Sequence, residues 1–225
     1  MTDVAAPGPA GPAGLSREQE EKAFYHEAAL NAAWTSSRLM IGVVASGLGA
    51  FVFSFFYLRS LNSHNDWYPS SMTPPKAWEG ATIMGLIVVS AIVQTAGLQM
   101  IKGGKKGAWS GAAWLALVLG LAAAGLQIYQ LTSLPFQPGA SGFASVFVGA
   151  SPVVAGLVLG TMIWLEILVM RSRSIPEISF VEQPPTFAEA ADVQRFQASL
   201  SSFTLFWNFL AIAAVVFWLL FYVVH

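Results

Sequence analysis

Five long apolar stretches separated by short polar ones set the pattern of the chain, at about residues 34–61, 81–101, 108–131, 143–170 and 203–224. Each is long enough for the ~20 residues that cross a ~30 Å hydrocarbon layer at 1.5 Å per residue. A segment inside lipid must satisfy its own backbone hydrogen bonds, which leaves helices and closed barrels. The period-two alternation of a membrane barrel is absent, so the stretches predict helices. The expected fold is all-α: a multi-pass integral membrane protein with a bundle of five transmembrane helices.

The polar stretches subdivide the rest. Residues 1–15 are an Ala/Pro/Gly tail that buries nothing and is expected to be disordered. With no basic start and no apolar core, it does not read as a secretory signal. Ser16 and Gln19 form a capping box, and Glu18, Glu20 and Glu21 suit the positive end of a helix dipole. This predicts a surface helix over 16–33. Residues 102–107 read as a tight basic turn, and 132–142 as a short uncharged loop. The 62–80 connection carries His64, Asp66 and three prolines. The longest connection contains a second capping box, Thr186 with Glu189, which predicts an interfacial helix over about 187–199.

Composition narrows the functions open to such a bundle. Apolar residues make up 55% of the 225 and charged residues 10%, against roughly 25% in a soluble domain. That is too little charge to solvate a globule, which argues against a soluble enzyme. The formal net charge of −1 leaves no basic excess to neutralise phosphates, so no nucleic acid partner is expected. Without cysteine the chain has no thiolate metal centre or iron–sulfur cluster. The three histidines are His26, His64 and His225, none within a predicted span, so haem held by the chain's own helices is not expected. His64 with Asp66 reads as a solvated loop rather than a metal site. No catalytic, cofactor or metal residues are expected in this chain.

Charge placement predicts orientation. Arg17, Lys22, Lys102, Lys105, Lys106, Arg171, Arg173 and Arg195 fall on one side, with Arg38 close by, and only Arg59 and Lys76 on the other. Basic residues stay inside, so the N-terminus is expected in the cytoplasm and the C-terminus outside a bacterial plasma membrane.

Two ionisable residues lie inside the spans. Arg38 is about 6 Å beyond Trp34 along the axis, and Glu166 about 7.5 Å before Arg171. Their depths match, which suggests an interhelical ion pair; the alternative is a snorkelling Arg38 and a protonated or hydrated Glu166. A proton-coupled carrier would start from Glu166, yet the chain shows one embedded acid, one proline-interrupted helix (Pro152) and no internal repeat. Small residues at four-residue spacing predict close helix packing: Gly42, Ser46 and Ala50 in the first span, Gly120 with Ala116 and Ala124 in the third, Gly156 and Gly160 in the fourth. Trp34, Arg59, Trp78 and Trp109, with Trp67 and Tyr222, fall where membrane-interface residues stand.

Over about residues 34–224 the pattern resembles subunit III of haem–copper terminal oxidases in its five-helix bacterial form. The likeness rests on Gly120 and Gln127 seven apart followed by Tyr129, on the run from Ser141 to Phe147 entering the fourth helix, and on Gly160. It also rests on Ser36-Ser37-Arg38-Leu39-Met40, on Tyr57-Leu58-Arg59 leaving the first helix, and on Phe206-Trp207-Asn208-Phe209. Departures stand beside it. Arg38 occupies the family's membrane glutamate position, Val153 and Gly156 replace two histidines, Asn208 a third, and Ala211 an aspartate. An Arg38–Glu166 pair would be a rebuilt form of that polar contact, and no proton-antenna role carries over.

The resemblance implies a non-catalytic subunit of an aerobic respiratory oxidase (cytochrome c oxidase). Haem and copper would sit in partner subunits. Subunit I would be the main contact, other oxidase subunits would lie nearby, and phospholipid would bind in a cleft between helices. It leaves open the haem type, the electron donor and membership of a respiratory supercomplex. A related protein of a quinol oxidase or nitric oxide reductase, or a scaffold for another membrane complex, stands as an alternative.

Overall fold

The computed structural model describes residues 17–61, 67–180 and 187–224. The N-terminal tail, the Ser16 and Thr186 caps, His64, Asp66 and His225 lie outside the described residues. Five helices are long and apolar enough to cross a membrane. They are α1 (Arg17–Ser60), α2 (Ala77–Lys102), α3 (Lys106–Thr132), α4 (Gly142–Arg173) and α5 (Phe187–Leu219). A wider π turn, Leu220–Val224, extends α5, and a single 3₁₀ turn, Glu177–Phe180, follows α4. Among the described residues there is no strand. The fold is that of a multi-pass membrane protein.

Two expected boundaries are absent. The helix predicted over 16–33 and the first span form one helix of 44 residues, about 66 Å long at 1.5 Å per residue. The helix predicted over 187–199 runs into the fifth span as one helix of 33 residues. Neither Arg17–Ile41 nor α5 contains a glycine or proline, so nothing breaks either helix where the environment changes. The two extensions brace each other instead of lying flat. His26 Nε2 donates to Gln194 Oε1 at 2.7 Å, and Ser202 Oγ donates to the Ala33 carbonyl at 2.9 Å. α1 and α5 therefore run parallel.

The other junctions follow local chemistry. Between α2 and α3, Gly104 takes φ of 78°, a left-handed conformation that glycine adopts without strain. There the Lys105 N–H closes on the Met100 carbonyl at 3.0 Å. At the start of α4, Ser141 Oγ accepts from the Ala144 N–H at 3.0 Å, an N-cap that satisfies one orphan donor. The Trp67 carbonyl takes the Phe143 N–H at 3.1 Å, which ties the 67–76 connection to the same helix end.

Two apolar clusters fill the bundle. The larger joins α2, α3, α4 and α5 around Trp109, Trp207, Phe196, Phe203, Phe206 and Met162, each essentially without exposure. The smaller, at the end away from the basic turn, gathers Phe55, Trp67, Phe143, Phe147 and Phe221, edge to face except for the stacked Phe143–Phe147 pair. In lipid, apolar burial itself drives little helix association, so the packing of these rings and small residues supplies most of the cohesion. α1 is the least covered helix: only 11% of its most apolar window is buried, against 33–39% for the other four.

Candidate functional site

The small-residue stripes divide into one that packs within the chain and two that do not. Gly120 lies against α4 so closely that a Cβ there would overlap Met162 Sδ. Its neighbours Ala116 and Ala124 are buried with it. This is the close approach that the spacing predicts. Gly42, Ser46 and Ala50 on α1, and Gly156 and Gly160 on α4, are exposed. A Cβ on Gly42, Gly156 or Gly160 would meet nothing within 4 Å. Of the residues expected to pack helices, these five therefore meet no helix of the described chain. Spacing identifies a smooth face but not the side of the helix that meets its own bundle. The contact between α1 and α4 is made elsewhere, for example by the Phe51 ring 3.3 Å from the Gly149 Cβ position.

Arg38 and Glu166 do not pair. Both are exposed, and the Arg38 guanidinium lies 4.3 Å from the Trp34 ring centroid, a cation–π contact one turn back on its own helix. Among the described residues no salt bridge joins Arg38 to Glu166. Matching depth was not enough, because the two residues point away from the α1–α4 contact. Each presents its charged side chain on the outside of the bundle.

The interface residues also divide. Trp34 and Trp78 are 43% and 65% exposed, and Arg59 is exposed, as membrane-interface residues should be. Trp109 is fully buried, with its ring over Gly97 and edge-on to Phe196 at 5.4 Å, so its place among the interface residues is corrected. Trp67 is buried in the smaller cluster, and Tyr222 is half-buried, accepting at its hydroxyl from Gln130 Nε2 at 2.9 Å. These three sit near helix ends, where position along the chain alone suggests an interface. Packing against neighbouring segments turns them inward.

Sequence reasoning missed the polar contacts that join the helices, buried at Ser90 and Gln127 and half-buried at Asn208. Trp207 Nε1 donates to Ser90 Oγ at 3.2 Å, and Ser90 Oγ donates to the Ala116 carbonyl at 2.7 Å, linking α5, α2 and α3. Asn208 Nδ2 donates to Thr95 Oγ1 at 3.1 Å. Gln127 Nε2 donates to the Ser151 carbonyl at 3.1 Å, tying α3 to α4. A signal was present for α3: Ala113, Ala116, Gly120, Ala123, Gln127 and Gln130 recur at helical spacing, and all are buried. At the basic end, the Lys106 ammonium donates to the Ile175 carbonyl, so one charge of the basic turn closes the α4 exit. Among the described residues no three His, Cys, Asp or Glu side chains gather as a metal-binding group would.

What the bundle presents is therefore a polar-stapled interior and two smooth outward faces, each flanked by an exposed charge. Comparison with models of known protein families and with curated proteins finds no match.

Proposed function

We propose that this chain is a non-catalytic subunit III of an aerobic respiratory terminal oxidase in a bacterial plasma membrane. In this reading it packs against subunit I, which holds haem and copper, binds phospholipid and supports assembly and stability. The observation that carries the packing role is the sparse cover of α1, together with the outward small-residue faces Gly42/Ser46/Ala50 and Gly156/Gly160. A stripe of small residues lets another helix approach closely, and among the described residues nothing comes within 4 Å of a Cβ at Gly42, Gly156 or Gly160. Arg38 and Glu166, exposed at membrane depth, are costly against lipid alone and gain from a polar partner. The oxidase identity rests on the sequence resemblance, and the basic residues at one end support a cytoplasmic N-terminus.

A carrier built on Glu166 has less support, because Glu166 stands on the outer side of α4 rather than enclosed among helices. A quinol oxidase or nitric oxide reductase accessory subunit would present the same faces and differ in its partner. Mild-detergent isolation of the tagged chain tests the proposal. Co-purifying large membrane subunits with haem absorbance support it, and a colourless lone chain contradicts it.

A further inference from the structure

The outward face of α4 has the spacing of a helix-pairing seam. Val153, Gly156, Gly160, Ile163, Ile167 and Met170 follow one another at alternating steps of three and four, the a and d positions of a heptad, and all six are exposed. Ile163 and Ile167 are each 59% exposed, and a Cβ on either glycine would meet nothing within 4 Å. The seam stops toward the outer end at Gly149, whose Cβ position the Phe51 ring of α1 covers. It therefore runs about 27 Å along the axis. Glycine is the weakest helix former after proline, and lipid tails gain nothing from it. Two glycines at successive seam positions suit a second helix that closes on the gap.

The charges beside the seam say which helix. Glu166 immediately precedes Ile167, an a position, and so is a g residue. Arg171 immediately follows Met170, a d position, and so is an e residue. Both are exposed, and no group of the described residues bonds either side chain. They are five apart on one helix and flank opposite sides of the seam, so they cannot meet each other within it. In two parallel helices, however, g of one faces the following e of the other. Two copies of one chain share a membrane orientation, which makes their α4 helices parallel and sets equal residues at equal depth. Glu166 of each copy then meets Arg171 of the other, with no offset between the helices.

We propose that, in a bilayer holding only this chain, the α4 seam pairs with the α4 seam of a second copy, closed by two reciprocal Glu166–Arg171 contacts. The pair uses only this chain's residues and does not depend on the oxidase reading. In the complex of that reading the partner chain takes the same face, and the pair is the form that precedes it.

The cysteine-free sequence makes the test direct. Purified full chain in phosphatidylcholine liposomes, at low protein-to-lipid ratio, is oxidised after single substitutions. Ile163→Cys, on the seam, is expected to give a disulfide-linked dimer. Leu115→Cys, 51% exposed on α3, is expected to give none. Equal cross-linking of both, or none at Ile163→Cys, overturns the proposal. In the Ile163→Cys background, Glu166→Arg sets cation against cation and is expected to lower dimer yield about tenfold. Adding Arg171→Glu to it is expected to restore the yield. A double variant that keeps its helical circular dichroism yet stays monomeric overturns the proposal, as does a Glu166→Arg variant that still dimerises fully. Haem plays no part in this measurement, so failure here and failure of the subunit reading are told apart.

Discussion

Trp207 and Ser90 form the central polar contact of the bundle: the indole N–H donates to Ser90 Oγ at 3.2 Å with both residues fully buried. Because Ser90 also donates to the Ala116 carbonyl, one hydroxyl staples three helices. Replacing it strands an indole donor where no water reaches. Ser90→Ala is expected to destabilise the folded bundle by about 1–2 kcal/mol, the range for an interhelical hydrogen bond plus its unpaired donor. Equilibrium unfolding in detergent measures this, and Ser90→Thr, which keeps the hydroxyl, separates the lost bond from general disturbance.

Gly120 and Gly156 make a matched pair with opposite surroundings. Gly120→Ala drives a methyl into the buried Met162 side chain and is expected to cost about 1–3 kcal/mol, the range for overpacking. Gly156→Ala meets open space, and its effect on the isolated chain is expected to stay within about 0.5 kcal/mol. Gly156→Leu fills the outward face. It is expected to leave the isolated chain folded while cutting recovery of partner subunits about tenfold, equivalent to about 1.4 kcal/mol of docking energy. Unfolding curves measure the first two and co-purification yield the third.

Arg38 stacks on Trp34 and does not meet Glu166. A double-mutant cycle, Arg38→Ala with Glu166→Ala, is therefore expected to show a coupling below about 0.5 kcal/mol in the isolated chain. A larger favourable coupling would mean that the two charges pair after all.

Tyr68 lies in the connection before α2, and burial raises its hydroxyl above the ordinary value of 10.0. Burial disfavours the phenolate, so folding favours the protonated form. The sign follows: the contribution of this group to stability is complete below pH 10 and is lost as the pH rises through the raised value. Ultraviolet titration of the chain minus that of Tyr68→Phe should show a component titrating above the free-tyrosine range. Its disappearance on unfolding is expected.

The five spans were legible because lipid imposes a length and an apolar composition that few other structures share. Where they end is also visible, since Gly103, Gly104 and Pro135 break the helices themselves. The continuity of α1 and α5 was hidden: Ser16 with Gln19 and Thr186 with Glu189 look like helix starts, yet no break separates either extension from its span. Orientation about each helix axis was the main loss. Gly120 and Gly156 follow the same small-residue rule, but only the three-dimensional bundle shows that one faces inward and the other outward. Trp109 and Trp78 both stand near helix ends, and neighbouring helices alone decide that one is buried and the other exposed. The contacts of Ser90 and Asn208 were missed for a related reason: a single polar residue in an apolar run carries no periodic signal of its own, whereas Gln127 stands in the periodic small and polar stripe of α3.

The most direct test of the proposed role is the reduced-minus-oxidised absorption spectrum of whatever the tagged chain retains when its native membrane is dissolved in mild detergent. An oxidase subunit III predicts haem bands and large partner chains in fixed ratio to this one, both lost together in Gly156→Leu. A colourless, lone chain from membranes that contain active oxidase would contradict it.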